Sequence, residues 1–273
     1  MLLAPMDGFT DTAFRILCQK CKAEYCYTEM ISVSGFVRKI PKALEKAYIP
    51  KEDKSGLQFF GSDPDEFKKA VKMMEESELS PKSIDLNLGC PVQKVAVIGA
   101  GSALIGKPKK VEKIVNELTK SNLPISVKMR LGRKNHEWKK ILRILNNFNL
   151  QHLTVHLRTA EQMYSGNANW DILEKIVSSS TNPIIANGDI KNFEDAKKLI
   201  ERGAKNVMIG RAALTNPYVF SGETNNHKKA QKFIKEYMRT AKKYKCFDET
   251  QFKRIKMKLL HGFEGAKELR KQL

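Results

Sequence analysis

Short apolar, β-branched runs alternate along the chain with longer stretches of helical period. Eight such runs, at 2–4, 25–28, 57–60, 83–88, 125–129, 153–156, 183–186 and 206–209, are bounded by polar residues or glycine, and each is the length of a strand. Between them apolar positions recur every three to four residues, as in DPDEFKKAVKMMEES at 63–77, KPKKVEKIVNELTKSN at 107–122 and NFEDAKKLIERG at 192–203. The last has acidic residues in its first turn and a glycine at its end, the polarity expected of a helix. Eight strand and helix alternations within about 220 residues match a parallel (β/α)8 TIM barrel, an α/β architecture that leaves no sheet edge unpaired. A doubly wound open sheet is the alternative, but the first strand runs into APMDGFTD and lacks the G-x-G-x-x-G turn of a dinucleotide-binding sheet.

From Glu223 onward the strand signal stops, and HKKAQKFIKEYMRTAKKYKC and QFKRIKMKLLHGFEGAKELRKQL are amphipathic and lysine-rich. The pattern therefore divides the chain into a barrel domain, 1–222, and a small all-helical C-terminal domain, 223–273. Charge sharpens this division. The 273 residues carry a formal net charge of +19, and residues 223–273 hold 15 Lys and Arg against 6 Asp and Glu. Such a surface suits a phosphate backbone, whose counterions it would release. The longest uncharged apolar stretch, 95–106, is 12 residues with three glycines, whereas a membrane-spanning helix needs roughly 20. The start, MLLAPMDGFTD, lacks the basic and long apolar regions of a signal peptide, so a cytoplasmic location is expected. Five cysteines, an odd number in a large chain, suit reduced thiols.

In a parallel barrel the ligand meets the C-terminal ends of the strands. Those ends are polar here: Pro5 and Met6, Gln58, Asn87 to Cys90, Lys128, His156, Asn187 to Asp189, and Gly210 with Arg211. Alternation places Asp85 and Asn87 opposite Ile84, Leu86 and Leu88, and Ser126, Lys128 and Arg130 opposite Ile125, Val127 and Met129. Glycines after the seventh and eighth runs, in ANGD and IGRAA, let the backbone approach a phosphorylated ligand, with Arg211 adding charge. A lysine within an apolar strand needs an anionic partner, which points Lys128 at negative charge developing on a ring system. Cys90, between Gly89 and Pro91 on a loop, is placed for chemistry as a nucleophile or a proton donor.

Three apparent motifs carry less. GSALIGK at 101–107 is followed by proline, so the hydroxyl of a phosphate-binding loop is missing. Cys18 and Cys21 have no second pair to complete a zinc site. His152 and His156 lie on a strand, where four residues span about 13 Å. No metal is expected.

These residues resemble the dihydrouridine synthases, flavin enzymes that reduce uridine in tRNA. The resemblance rests on APMDGFTDTAFR at 4–15, FFGSDP at 59–64, DLNLGCPVQKVAVIGAGSALI at 85–105, SVKMRLG at 126–132, VHLRTAEQMYSGNANW at 155–170, IIANGDI at 184–190 and NVMIGRAALTNPYVF at 206–220. It implies FMN across the barrel mouth, with Pro5, Met6 and Asp7 on one side and Gln58 and Lys128 at the isoalloxazine edge. His156, Asn187, Gly188, Asp189, Gly210 and Arg211 would hold the ribityl phosphate end. It further implies reduction of FMN by NADPH (or NADH), hydride transfer from the flavin N5 to C6 of uracil, and protonation of C5 by Cys90. Cys90 would then stay a thiol at neutral pH. Asn87, Arg158 and Tyr164 would face the uracil, and the basic tail would grip tRNA. A monomer free of metal and membrane is expected. The sequence departs from the family pattern at Asp7, where alanine is usual, at Leu157, where glycine is usual, and at Asn169, where aspartate is common; its helical domain looks short. The other readings are a flavin barrel acting on a free pyrimidine, which would not need the basic tail, and a non-catalytic RNA-binding barrel.

Overall fold

The computed structural model describes residues 1–263 and 266. Among the described residues nine strands form: β1 Leu2–Leu3, β2 Cys26–Tyr27, β3 Ile31–Ser32, β4 Ser55–Phe60, β5 Ile84–Leu88, β6 Ile125–Arg130, β7 His152–His156, β8 Ile184–Asn187 and β9 Asn206–Ile209. Every pairing between them is parallel, in the order β1-β9-β8-β7-β6-β5-β4-β2. A bridge between Leu2 and Tyr25, with the Leu3 N–H donating to the Tyr25 carbonyl at 2.9 Å, joins the two ends of this order. The result is the eight-stranded barrel expected from the eight apolar runs, all of which become strands.

The ninth strand has no counterpart among those runs. β2 and β3 both pair with β4, at Ser55 and Gly56 and at Phe59 and Phe60, so they are two pieces of one interrupted strand. At the break the Gln58 N–H donates to the Thr28 hydroxyl at 3.1 Å in place of a ladder bond. The interruption is short enough to escape any periodicity argument, and it puts Met30 on the wall of the barrel mouth.

Alternation along the strands separates two apolar regions. Ile84, Leu86, Leu88, Ile125, Val127 and Met129 face outward into the main core under the helices. A smaller cluster of Leu2, Ala4, Tyr27, Ile185 and Met208 fills one side of the barrel interior, while Gln58, Asp85, Asn87 and Ser126, all buried, occupy the other. The helices are capped as their sequences suggest. Asp63 caps Pro64–Glu75 through the Asp65 N–H, and Asn192 caps Phe193–Glu201 through the Asp195 N–H. The pattern at 107–122 yields a shorter helix, Pro108–Leu118.

Beyond the barrel lie two helices, His227–Lys243 and Glu249–Leu259; the rest of the basic 223–273 segment past Phe263, save Ala266, falls outside the described residues. The first lies on Thr12–Lys20, where Phe233 meets Phe14 edge to face at 5.7 Å and Tyr237 donates to Asp11 Oδ2 at 2.5 Å. Ala230, Phe233, Ile234, Tyr237 and Ala241 join the same apolar cluster as the barrel helices. The second carries Arg254 against Gly8 and brings Lys258 to the edge of the barrel mouth. Among the described residues no helix is long and apolar enough to cross a membrane.

Candidate active site

The C-terminal ends of the strands enclose a cleft of about 1460 Å³. Single small-molecule sites usually run to roughly 300–1,000 Å³, so this one has room for more than one ring system. Every residue that the sequence assigns to cofactor, base or proton transfer, from Pro5 to Arg211, lines it.

One wall is a hydrogen-bonded chain of side chains. Asp85 Oδ1 accepts from the Ser126 hydroxyl and Oδ2 from Gln58 Nε2, both at 2.7 Å; Asn87 Nδ2 donates to Gln58 Oε1 at 2.8 Å. Asn87 Oδ1 then accepts the N–H groups of Gly89 and Cys90, at 3.0 and 2.9 Å. Behind Ser126, the Tyr27 hydroxyl lies 3.0 Å from Ser126 Oγ and 2.7 Å from His152 Nε2. Burial pushes the Asp85 carboxyl up to about 6, against the pull of its two donors and of Lys128, and brings His152 down to about 4.

Cys90 is fixed from both sides. Its carbonyl accepts the Ser102 N–H at 3.0 Å, from a 3-10 turn, Gly101–Gly106, that occupies the would-be phosphate loop. Gly101 has φ +58°, and a Cβ there would stand 2.8 Å from the Cys90 carbonyl oxygen, so only glycine permits this approach. Cys90 itself is half-buried, and burial raises its thiol above the ordinary value despite nearby Arg130 and Lys128. It is therefore protonated at neutral pH.

Lys128 projects from β6 beside Asn87 and Thr154 in the strand register, half-buried and with no hydrogen-bond partner among the described residues. Burial and Arg130 bring its ammonium down to about 8, with Asp85 opposing. The buried Thr154 hydroxyl also lacks a partner among the described residues. A lone ammonium lining an open cleft fits an anionic or acceptor-rich ligand, while the Thr154 hydroxyl is buried behind the lining.

The opposite wall is held by arginines. Buried Arg158 donates to Asp189 Oδ2 at 2.5 Å and to the Gly166 carbonyl at 2.6 Å, and Arg211 donates to Asp189 Oδ1 at 2.9 Å. Burial works against the charge on Asp189, but these guanidiniums and the Ala168 N–H keep its carboxyl below the ordinary value. Asp189 lies in the left-handed region at φ +56°, after Gly188 at φ +121°. His156, beside Arg158, is kept neutral by burial and by the surrounding cations.

Arg130, which the sequence places on the polar face without a role, donates to the carbonyls of Gly89, Thr159 and Met163 at 2.9, 2.8 and 2.9 Å. It thereby ties the Cys90 loop to the loop bearing Tyr164, whose exposed ring lies over Arg130 and Arg211 at 5.7 and 5.2 Å. Two further residues of the site escape sequence reasoning: Trp170, which donates to the Gly188 carbonyl at 3.0 Å, and Lys258. The periodicity of β6 already marks Arg130; nothing local marks Lys258, because it comes from a distant helix. Asp7, the departure from alanine, is exposed on the rim and pairs with Lys46, which also reaches Glu29 at 3.1 Å.

The barrel is shared with solved structures of low sequence similarity. A variant of NCR from Zymomonas mobilis aligns with a TM-score of 0.57 at 12% identity, over 82% of this chain and 87% of that one. DHODH from Eimeria tenella aligns with a TM-score of 0.57 at 14% identity, over 81% and 78%. These establish the parallel α/β barrel fold. Residues 2–273 match the family description dihydrouridine synthase (Dus), and the chain belongs to that family. Among curated relatives, a probable tRNA-dihydrouridine synthase of Rickettsia prowazekii is 38% identical over 217 residues, 77% of this chain and 66% of that protein. One from Aquifex aeolicus is 36% identical over 79% of this chain and 69% of the relative, and tRNA-dihydrouridine synthase B of Pasteurella multocida is 37% identical over 78% and 65%. The match thus spans about two thirds of the length of these relatives.

Proposed function

We propose that this protein is a flavin-dependent oxidoreductase that reduces the C5–C6 double bond of uridine in tRNA. The observation that carries the reading is the pairing, in one cleft, of a thiol kept protonated, Cys90, with an unpartnered ammonium, Lys128. Family membership and the names of the relatives support it, as does the cationic appendage beside the mouth.

The residues fit FMN. Lys128 lacks a partner among the described residues, Gln58 has an amide proton to spare, and Gly188, Gly210 and Arg211 offer backbone and charge for a phosphate. Bound flavin supplies the two-electron hydride chemistry that no side chain has, with NADPH or NADH as the source of electrons. The protein's own part is to hold and aim. Lys128 stabilises negative charge on the ring edge in a partly water-excluded site. Asn87 fixes the Cys90 backbone so that the thiol faces the cleft, where it delivers its proton to C5 of the base. Arg158 directs its donors to Asp189 and the 165–166 carbonyls, so its role is to shape the wall behind Tyr164. A uridine in an unpaired tRNA loop reaches this depth at lower cost than one in a duplex. Such a substrate agrees with a cytoplasmic location.

The test is nucleoside mass spectrometry of unmodified tRNA incubated with the protein, FMN and NADPH. The expected result is uridine heavier by two hydrogens, lost in Cys90→Ala while that variant still binds FMN and oxidises NADPH. Full uridine reduction by Cys90→Ala would remove the proton-donor role. Reduction of a free pyrimidine but not of tRNA would move the assignment to a metabolic reductase.

A further inference from the structure

Asp85 is fully buried on β5 and touches neither Cys90 nor the open cleft. Its carboxylate accepts at both oxygens, and the bonds that follow run in one direction only. A carboxylate cannot donate, so Gln58 must turn its amide nitrogen toward Asp85 and its oxygen toward Asn87. Asn87 must in turn offer Nδ2 to Gln58 and Oδ1 to the N–H groups of Gly89 and Cys90. Backbone N–H groups only donate, so an acceptor-only group at one end and donor-only groups at the other agree on the orientation of both intervening amides. Remove the acceptor and Gln58 Nε2 is left unbonded in a buried wall, free to rotate and to release Asn87.

We propose that Asp85 is a positioning residue for Cys90, acting through the Gln58 and Asn87 amides to fix the backbone that carries the thiol. This rests on the reading of Cys90 as the proton donor and extends it to the group that holds the donor in place. The role requires an acceptor at position 85, not a charge. In Asp85→Asn the new amide nitrogen faces Ser126, whose hydroxyl turns to donate to Tyr27, and Tyr27 donates to the neutral His152 ring. Gln58 still meets an oxygen, and the orientation of the chain survives.

The measurement is the rate at which iodoacetamide alkylates Cys90 in the flavin-free, full-length protein, followed by peptide mass mapping to separate it from the other four cysteines. Asp85→Leu, similar in shape but without an acceptor, is expected to react about fivefold faster, the worth of one typical hydrogen bond. Asp85→Asn should stay near the wild-type rate. Gln58→Leu should also react faster, and Asp85→Leu combined with Gln58→Leu no faster than Gln58→Leu alone, because both act on one path. Should Asp85→Leu fail to fold, Asp85→Asn combined with Ser126→Ala deprives the new amide nitrogen of its acceptor and turns it on Gln58 Oε1. That variant should react about fivefold faster than Asp85→Asn. A wild-type rate in Asp85→Leu, multiplying effects in its combination with Gln58→Leu, or equal rates for Asp85→Asn with and without Ser126→Ala would overturn the proposal. The assay uses neither flavin nor tRNA, so its failure leaves the proposed reaction standing, and failure of tRNA reduction leaves this result standing.

Discussion

Cys90 and Lys128, which line one cleft from two neighbouring strands, show how the same burial moves two proton affinities in opposite directions. Burial pushes both groups toward their neutral forms: the thiol up, which keeps its proton, and the ammonium down to about 8, which leaves it charged at neutral pH but within reach of losing a proton. An anionic ring edge beside Lys128 would hold the proton on. Lys128→Met keeps the length and removes the charge. It should weaken FMN binding roughly tenfold to a hundredfold, as expected for a hydrogen bond to a charged group worth about 1.5–3 kcal/mol, read by quenching of flavin fluorescence. Because the lysine is charged below its value and neutral above it, wild-type affinity should decline as the pH rises through about 8, and the variant should show no such decline. Unchanged affinity in Lys128→Met would place the cofactor's anionic edge elsewhere. These residue types were legible in the sequence, since a lysine and a carboxylate inside apolar strands have no reason to be there without partners. Which atoms partner them was not, because Gln58, Asp85, Asn87 and Ser126 come from three strands whose register only the sheet fixes.

At the scale of elements, the helix Thr12–Lys20 follows the first loop of the cleft, and Asp11 caps it by accepting from the Phe14 N–H at 2.8 Å. The same carboxyl accepts from Tyr237 of the appended helix, which links that helix to the loop bearing Pro5 and Met6. Burial raises Asp11 to about 6 from 3.8, opposed by Tyr237, Phe14 and Arg15 and reinforced by Glu29. The folded protein therefore holds this proton longer than the unfolded chain, and the contribution of Asp11 to stability falls as the pH rises from about 4 to about 6. Tyr237→Phe takes away a donor to the carboxylate and raises Asp11 further. It should cost about 1–3 kcal/mol in urea unfolding, more at about pH 8 than at about pH 5, where the carboxyl is largely protonated. The ring stack on Phe252 at 6.1 Å survives this change, so a pH-independent loss would uncouple the lost bond from the titration of Asp11. The caps of Pro64–Glu75 and Phe193–Glu201 could be read from Asp63 and Asn192, whereas Ile31–Ser32, too short for any period, could not.

For the whole molecule, the net charge of +19 is not spread evenly: the second appended helix sets Arg254 against Gly8 and brings Lys258 into the lining of the cleft, which Tyr164 and its two arginines also line. An RNA backbone laid along this side would lose counterions in proportion to the phosphates it pairs. Affinity for tRNA should fall roughly a hundredfold or more between about 50 and 200 mM salt, and Arg254→Glu with Lys258→Glu should flatten that dependence while leaving FMN affinity intact. A salt response unaltered by the pair would place the RNA on another face.

The sequence by itself determined the alternation of strands and helices, and through it the barrel, because periodicity is a local property that burial of one face enforces. It also determined which residues stand at strand ends, since position along a strand in a parallel barrel equals depth in the cleft. The appended helices were legible as helices and as cationic. Only the tertiary structure decided that they share the core of the barrel and reach its mouth, and that Asp85 is linked to Cys90 through two amides. Those contacts join residues far apart in the chain, and their geometry follows from register and packing, which no local pattern encodes.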